Sequence, residues 1–187
     1  MVTVTVLPRS RPLTQADLET MPDDGHRYEL IDGALIVTPA PLMPHQLIVG
    51  ELHVMLRAAC QPEYVVLLSP CDVVLAEDTV MQPDLLVARR SDITLRNLPT
   101  APVLAIEVLS RSTRLIDLTL KKARLERAGC ESYWVVDPKT SVVTAWDLVQ
   151  GRYELVGEFA PGQLVEASRP FPIRFDPAQL ADATRLA

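Results

Sequence analysis

Three cysteines and three histidines are all that this 187-residue chain carries of the usual soft metal ligands, and neither set is spaced for a metal. Cys60, Cys71 and Cys130 are odd in number, far apart and in no CxxC arrangement. That argues against a disulfide framework or zinc knuckle and for core thiols. His26, His45 and His53 form no HExxH pattern, so zinc is not expected. Long apolar runs are missing too: 48% of residues are apolar, but nothing approaches the roughly 18 uninterrupted apolar residues of a membrane span. The opening MVTVTVLPRSRPLTQ lacks the basic-then-apolar order of a signal peptide, so a cytoplasmic protein with no membrane partner is expected. There is no excess of basic charge: 18 basic against 24 acidic residues leave a formal charge of −6. A protein that coats nucleic acid through a broad basic face is disfavoured. A local basic groove, or carboxylates neutralised by a divalent cation, stays open.

What is present suits one domain over 1–187, long enough to bury a sizeable core. Residues 1–12 read as an N-terminal arm, and Thr14 caps a short helix in TQADLETMP that Pro22 stops. RYELIDGALIVT, 27 to 38, alternates around Asp32-Gly33, a hairpin signal. After a proline-rich link, Leu47, Ile48, Leu52, Met55, Leu56 and Ala59 make one face of an amphipathic helix. Strand-like runs follow at YVVLLS, DVVLAE, PDLLVAR and VLAIEVL, with Glu77-Asp78-Thr79 read as the turn between the second and third. A helix is predicted over 115–128, ending at Gly129. SYWVVDP and VVTAWDL then form a hairpin turned at Asp137-Pro138-Lys139-Thr140, and GRYELVGEF and PFPIRFDPAQL complete a mixed α/β pattern.

One residue breaks the pattern. The run VLAIEVL is apolar on both faces, as a central strand is, yet Glu107 sits in its middle. An unpaired carboxylate there bears a large desolvation cost. An ordinary answer is a strand-end glutamate reaching water, or a buried pair with Arg111 or Arg114. A sharper one uses Asp84, which opens the neighbouring strand in Gln82-Pro83-Asp84. Two carboxylates side by side repel, and a hard cation such as Mg²⁺, which favours oxygen ligands and keeps waters for a substrate phosphate, resolves the repulsion. A nearby lysine would complete a site for phosphodiester hydrolysis. Lys121 and Lys122 both fall at the borders of an apolar stripe made by Leu115, Leu118, Leu125 and Ala128, so either can point toward the sheet or snorkel to water.

RYELIDGALIV, HQLIVGEL, QPDLLVARR, APVLAIEVLSRST and KKARLERAGCESYWVVDP, in that order over residues 26–157, resemble the Uma-type restriction endonuclease family of the PD-(D/E)XK nuclease superfamily. The resemblance implies a restriction-endonuclease-like α/β core, a mixed central sheet flanked by helices with extra hairpins. It also implies Mg²⁺ or Mn²⁺ held by Asp84, Glu107 and the backbone carbonyl of Val108. In the superfamily pattern the lysine stands two residues after the glutamate; here that position is Leu109, and the resemblance assigns the role to Lys121 on the following helix rather than to Lys122. It adds Glu29 and Glu51 as further candidate ligands and His45 as a residue lining the site, whereas Ser112 and Thr113 read as helix caps.

The function expected is a divalent-metal-dependent endonuclease acting on DNA, with Asp84, Glu107 and Lys121 as its catalytic set. The alternative is a weak or inactive nuclease-fold protein serving as a nucleic-acid-binding or protein-interaction module. A third reading keeps the site chemistry but takes RNA or a small phosphoester as substrate. A homodimer would suit cutting both strands of a two-fold symmetric site, with the sheet edge near the C-terminal hairpin as one place for its interface.

Overall fold

A computed structural model describes residues 11–184. The arm expected over 1–12 therefore lies outside the described residues apart from Arg11 and Pro12. α1 (Gln15–Leu18) begins at Thr14, where the Asp17 carboxylate accepts the Thr14 amide at 2.8 Å and its hydroxyl at 3.0 Å. It ends before Pro22 rather than at it. The Asp32-Gly33 signal holds: β1 (Arg27–Ile31) and β2 (Ala34–Thr38) form a hairpin whose two turn residues have φ of 54° and 73°. A turn with two positive φ values matches the twist of the flanking strands, and Asp-Gly tolerates it.

β3 (Tyr64–Leu68), β4 (Val73–Ala76), β6 (Leu85–Arg89) and β7 (Leu104–Val108) occupy the four predicted strand runs. The Glu77-Asp78-Thr79 turn does not lead straight to β6. A further strand, β5 (Thr79–Met81), folds back on β4 first. Three residues are too few to show a period, which is why the sequence hid it. β1, β2, β4 and β5 make a four-stranded sheet in the order β2-β1-β5-β4.

The larger sheet runs β10-β9-β8-β7-β6-β3, where β8 is Ser132–Val136, β9 Val143–Val149 and β10 Arg152–Phe159. Its only parallel pair is β7 with β8, and the helical crossover after β7 makes that pairing possible. One face, with Leu85, Val87, Leu104, Ile106, Val108 and Trp134, packs on Ile48, Leu52 and Leu56 of α2 (Met43–Ala59). The other face sets Ala105, Tyr133 and Val135 against Ile31 and Met81 of the smaller sheet and Leu125 of α4 (Lys122–Ala128). Each such leucine or isoleucine contributes ~1.5–3 kcal/mol on burial. The remaining elements, β11 (Val165–Ala167), β12 (Ile173–Phe175) and α5 (Ala178–Ala183), cover the α2 side.

The predicted 115–128 helix is interrupted. α3 (Arg114–Ile116) gives way to a π-turn over Asp117–Lys121 before α4 begins. Its buried face keeps half of the expected apolar stripe: Leu125 is buried and Leu118 packs on the core, but Leu115 is 75% exposed and Ala128 is exposed, while Asp117 and Lys121 are buried. Two charged side chains share the buried face with Leu118 and Leu125. Among the described residues no helix is long and apolar enough to cross a membrane.

Candidate active site

Strand alternation turns Glu107 toward the face that carries Ala105, beneath the π-turn. The β6–β7 register pairs Leu85 with Ile106, so one further step sets Asp84 beside Glu107. The two carboxylates meet different surroundings. Asp84 Oδ1 accepts Arg27 Nη1 at 2.8 Å, while Oδ2 accepts the Val108 amide at 2.9 Å and lies 3.0 Å from His45 Nε2. Burial alone would raise the Asp84 carboxyl, but His45 and Arg27 overcome it and hold it well below the ordinary carboxylate range. Glu107 accepts Lys121 Nζ at 3.0 Å. Burial pushes its carboxyl well above the ordinary range; Lys121 opposes this, and repulsion from Asp84, Asp117 and Glu29 adds to it.

Lys121 is fully buried, with its ammonium 3.0 Å from Glu107, 3.0 Å from Glu29 Oε1 and 3.5 Å from Asp117 Oδ1. Burial would lower its pKa, but those three carboxylates hold it above the ordinary lysine value and keep it charged. Lys122 instead places its ammonium 3.8 Å from the centroid of the Trp146 ring. Glu29 also accepts the Gln82 amide at 2.7 Å, which ties β1 to the Pro83-Asp84 turn.

Several sequence expectations change here. Neither Arg111 nor Arg114 pairs with Glu107; Arg114 bonds Asp137 at 2.7 Å. Thr113 stands at the first cap position of α3, but its hydroxyl donates to Asp117 Oδ2 at 2.7 Å rather than capping a backbone amide. Glu51 is half-buried on α2 and makes no hydrogen bond or ion pair with the cluster. Arg27 and Asp117 are the members that sequence reasoning missed. The signals were there: Arg27 stands two residues before Glu29 on one strand face, and Asp117 four before Lys121.

Asp84, Val108, His45 and Arg27 line a cleft of about 1460 Å³, and Arg96, Arg111, Arg114 and Lys139 stand on its walls. The Arg96 and Arg114 charges are offset by Glu19 and Asp137. Below the floor, four carboxyl groups (Glu29, Asp84, Glu107, Asp117) face two permanent cations, Arg27 and Lys121. Glu29 Oε2, Asp117 Oδ1, Arg27 Nε and His45 Nδ1 are buried without a hydrogen-bond partner.

This donor set suits a hard divalent cation in its chemistry: two carboxyl groups on neighbouring strands beside a backbone carbonyl, all oxygen donors. No three His, Cys, Asp or Glu side chains among the described residues converge as a metal-binding group. A cation that takes two carboxylates, a backbone carbonyl and waters does not need such a group.

The result is a mixed α/β fold with an acidic pair, Asp84 and Glu107, at the ends of two neighbouring strands and Lys121 reaching Glu107 from the next helix. The chain matches the Uma2 family model, described as "Putative restriction endonuclease", over residues 15–181, and belongs to that family. It is also similar in fold to a solved protein of Anabaena variabilis ATCC 29413, described as "a putative nuclease belonging to DUF820". The TM-score is 0.77 at 22% identity, covering 93% of this chain and 100% of that one. No curated protein matches the chain.

Proposed function

We propose that this chain is a divalent-metal-dependent endonuclease that hydrolyses DNA phosphodiester bonds, with Asp84, Glu107 and Lys121 as its catalytic set. The observation that supports the reading most is the meeting of Asp84 and Glu107 at the ends of neighbouring strands, beside the Val108 backbone and with Lys121 3.0 Å from Glu107. Asp84, Glu107 and the Val108 carbonyl would hold Mg²⁺ or Mn²⁺, which supplies a polarised phosphate and an activated water when bound. The chain's own residues do the rest. The Val108 amide fixes the Asp84 carboxylate at the strand end. Lys121 restrains Glu107. Arg111 and Lys139, which line the cleft, would take backbone phosphates.

A second reading has one observation in its favour: Lys121 is 0% exposed, and a sealed ammonium suits a catalytically weak protein that binds nucleic acid without cutting it. Nicking of supercoiled plasmid in Mg²⁺, Mn²⁺ or EDTA, beside a folded Asp84→Asn variant, separates the two. Metal-dependent nicking that is lost in the variant is expected. Nicking that survives Asp84→Asn would refute the site, and DNA binding with no nicking in any metal would favour the binding module.

A further inference from the structure

Asp84 has no oxygen to spare: Oδ1 is taken by Arg27, and Oδ2 is shared by the Val108 amide and His45. These partners differ in how easily they leave. The Val108 amide belongs to a central strand paired on both sides, and it cannot turn away without breaking the ladder. His45 sits in the first turn of α2, 11% exposed. Arg27 is a long side chain on the cleft wall, 20% exposed. Its Nε is buried without a hydrogen-bond partner, 3.6 Å from Glu29 Oε2. The guanidinium therefore rests on Asp84, on Glu29 and, through a 3.3 Å hydrogen bond from Nη1, on the Ser69 hydroxyl, without the two parallel hydrogen bonds that lock an arginine onto one carboxylate.

Resting on the divalent-cation reading above, we propose that Arg27 is a resident counter-ion. It occupies Asp84 in the metal-free protein, yields Oδ1 to the cation, and turns into the cleft to hold a DNA backbone phosphate. A guanidinium and a divalent cation on the same oxygen repel each other, which favours moving the side chain that is free to move. The open cleft gives Arg27 somewhere to go, and its planar fork matches phosphate oxygens.

The experiment counts free Mn²⁺ by electron paramagnetic resonance in titrations of the wild type, Arg27→Gln and Arg27→Lys, with the metal as the only ligand. Arg27→Gln should bind Mn²⁺ about tenfold more tightly than wild type, the scale at which groups around a metal's ligands tune its affinity. Arg27→Lys, which keeps a cation in place, should stay close to wild type. Equal or weaker binding by Arg27→Gln overturns the counter-ion role alone. No Mn²⁺ uptake by any of the three proteins overturns the cation reading itself.

If Arg27→Gln does not fold, the side-chain Nε–H resonance of Arg27 in the wild type decides instead. It should move as Mg²⁺ is added, and an unmoved signal at saturating Mg²⁺ refutes the displacement. For the phosphate contact, DNA affinity is followed against salt with Ca²⁺ bound. The wild-type slope of log K on log salt should be steeper than that of Arg27→Gln by up to about 0.9, with Arg27→Lys close to wild type. An Arg27→Gln slope equal to wild type refutes the contact.

Discussion

Removing the Lys121 side chain should destabilise the protein before it says anything about catalysis. Lys121→Ala strips the only ammonium from a pocket where Glu29, Glu107 and Asp117 are each at most 2% exposed. Breaking a buried ion pair from one side costs about 3–5 kcal/mol, since the partner charge is left in a medium that cannot solvate it. A domain's whole stability is about 5–15 kcal/mol. At about 2–4 °C per kcal/mol for a chain of this size, the melting temperature should fall by roughly 6–20 °C. Burial already pushes the Glu107 carboxyl up, so a neutral isostere there should relieve the orphaned cluster. The double variant Lys121→Ala/Glu107→Gln should recover about 1–2 kcal/mol relative to the sum of the single effects, within the coupling usual for touching residues. Urea unfolding with unchanged m-values measures both quantities. A midpoint for Lys121→Ala within about 0.5 kcal/mol of wild type, or strict additivity in the cycle, would refute the claim that Lys121 is the counter-charge of the cluster. Cleavage by Lys121→Ala is interpretable only well below its own midpoint.

Other perturbations test neighbouring parts. Lys122→Ala should keep cleavage and lose only about 0.5–1 kcal/mol with a change in Trp146 emission, because its ammonium rests on that ring; cleavage lost as in Asp84→Asn would move the catalytic lysine to position 122. Tyr133→Phe removes the 2.8 Å hydrogen bond to the Asp117 carbonyl and should cost about 0.5–1.5 kcal/mol in urea unfolding. Gly33→Ala puts a methyl group into the Pro12 ring at a φ of +73°, so a loss above about 1 kcal/mol is expected in the same assay. Burial pushes the Cys130 thiol up to about 12 from 9.0, so it should resist alkylation at mildly alkaline pH until the protein unfolds. Its folded-state value lies above the unfolded one, so the stability it contributes is full below about pH 9 and is lost as pH rises toward 12. Wild type should therefore weaken more steeply than Cys130→Val above pH 9, by about 1 kcal/mol per unit.

Much of the fold was legible because its strands obey simple rules. Asp32-Gly33 announces a turn that few other pairs can make, and the β6 and β7 runs are apolar on both faces because helices or strands cover both. Asp84 and Glu107 stood out for the same reason: a charge inside such a run needs an explanation that composition does not offer. β5 escaped because three residues show no period. Arg27 escaped because an arginine at the start of a hairpin strand is routine, and its partner Asp84 lies 57 residues away.

The helix after β7 was misread for a deeper reason. Amphipathic analysis assumes that the buried face is the apolar face, so Leu115 and Ala128 were assigned inward and the lysines to the borders. In the structure the inward positions are Asp117, Lys121 and Leu125, each four residues apart, with a π-turn spanning the first two. A π-turn inserts backbone into a regular helix and is found most often at functional sites, where a side chain must be aimed against the helical period. Here it aims two charges at Glu107, while the Thr113 hydroxyl and Tyr133 hold Asp117 from its two ends. Charge neutralisation acts beside hydrophobic burial of Leu118 and Leu125 in deciding which face of this helix is buried. That term depends on Glu29 and Glu107, on strands far away in sequence, so a window along the helix shows the Asp117–Lys121 spacing but not the partners that bury it.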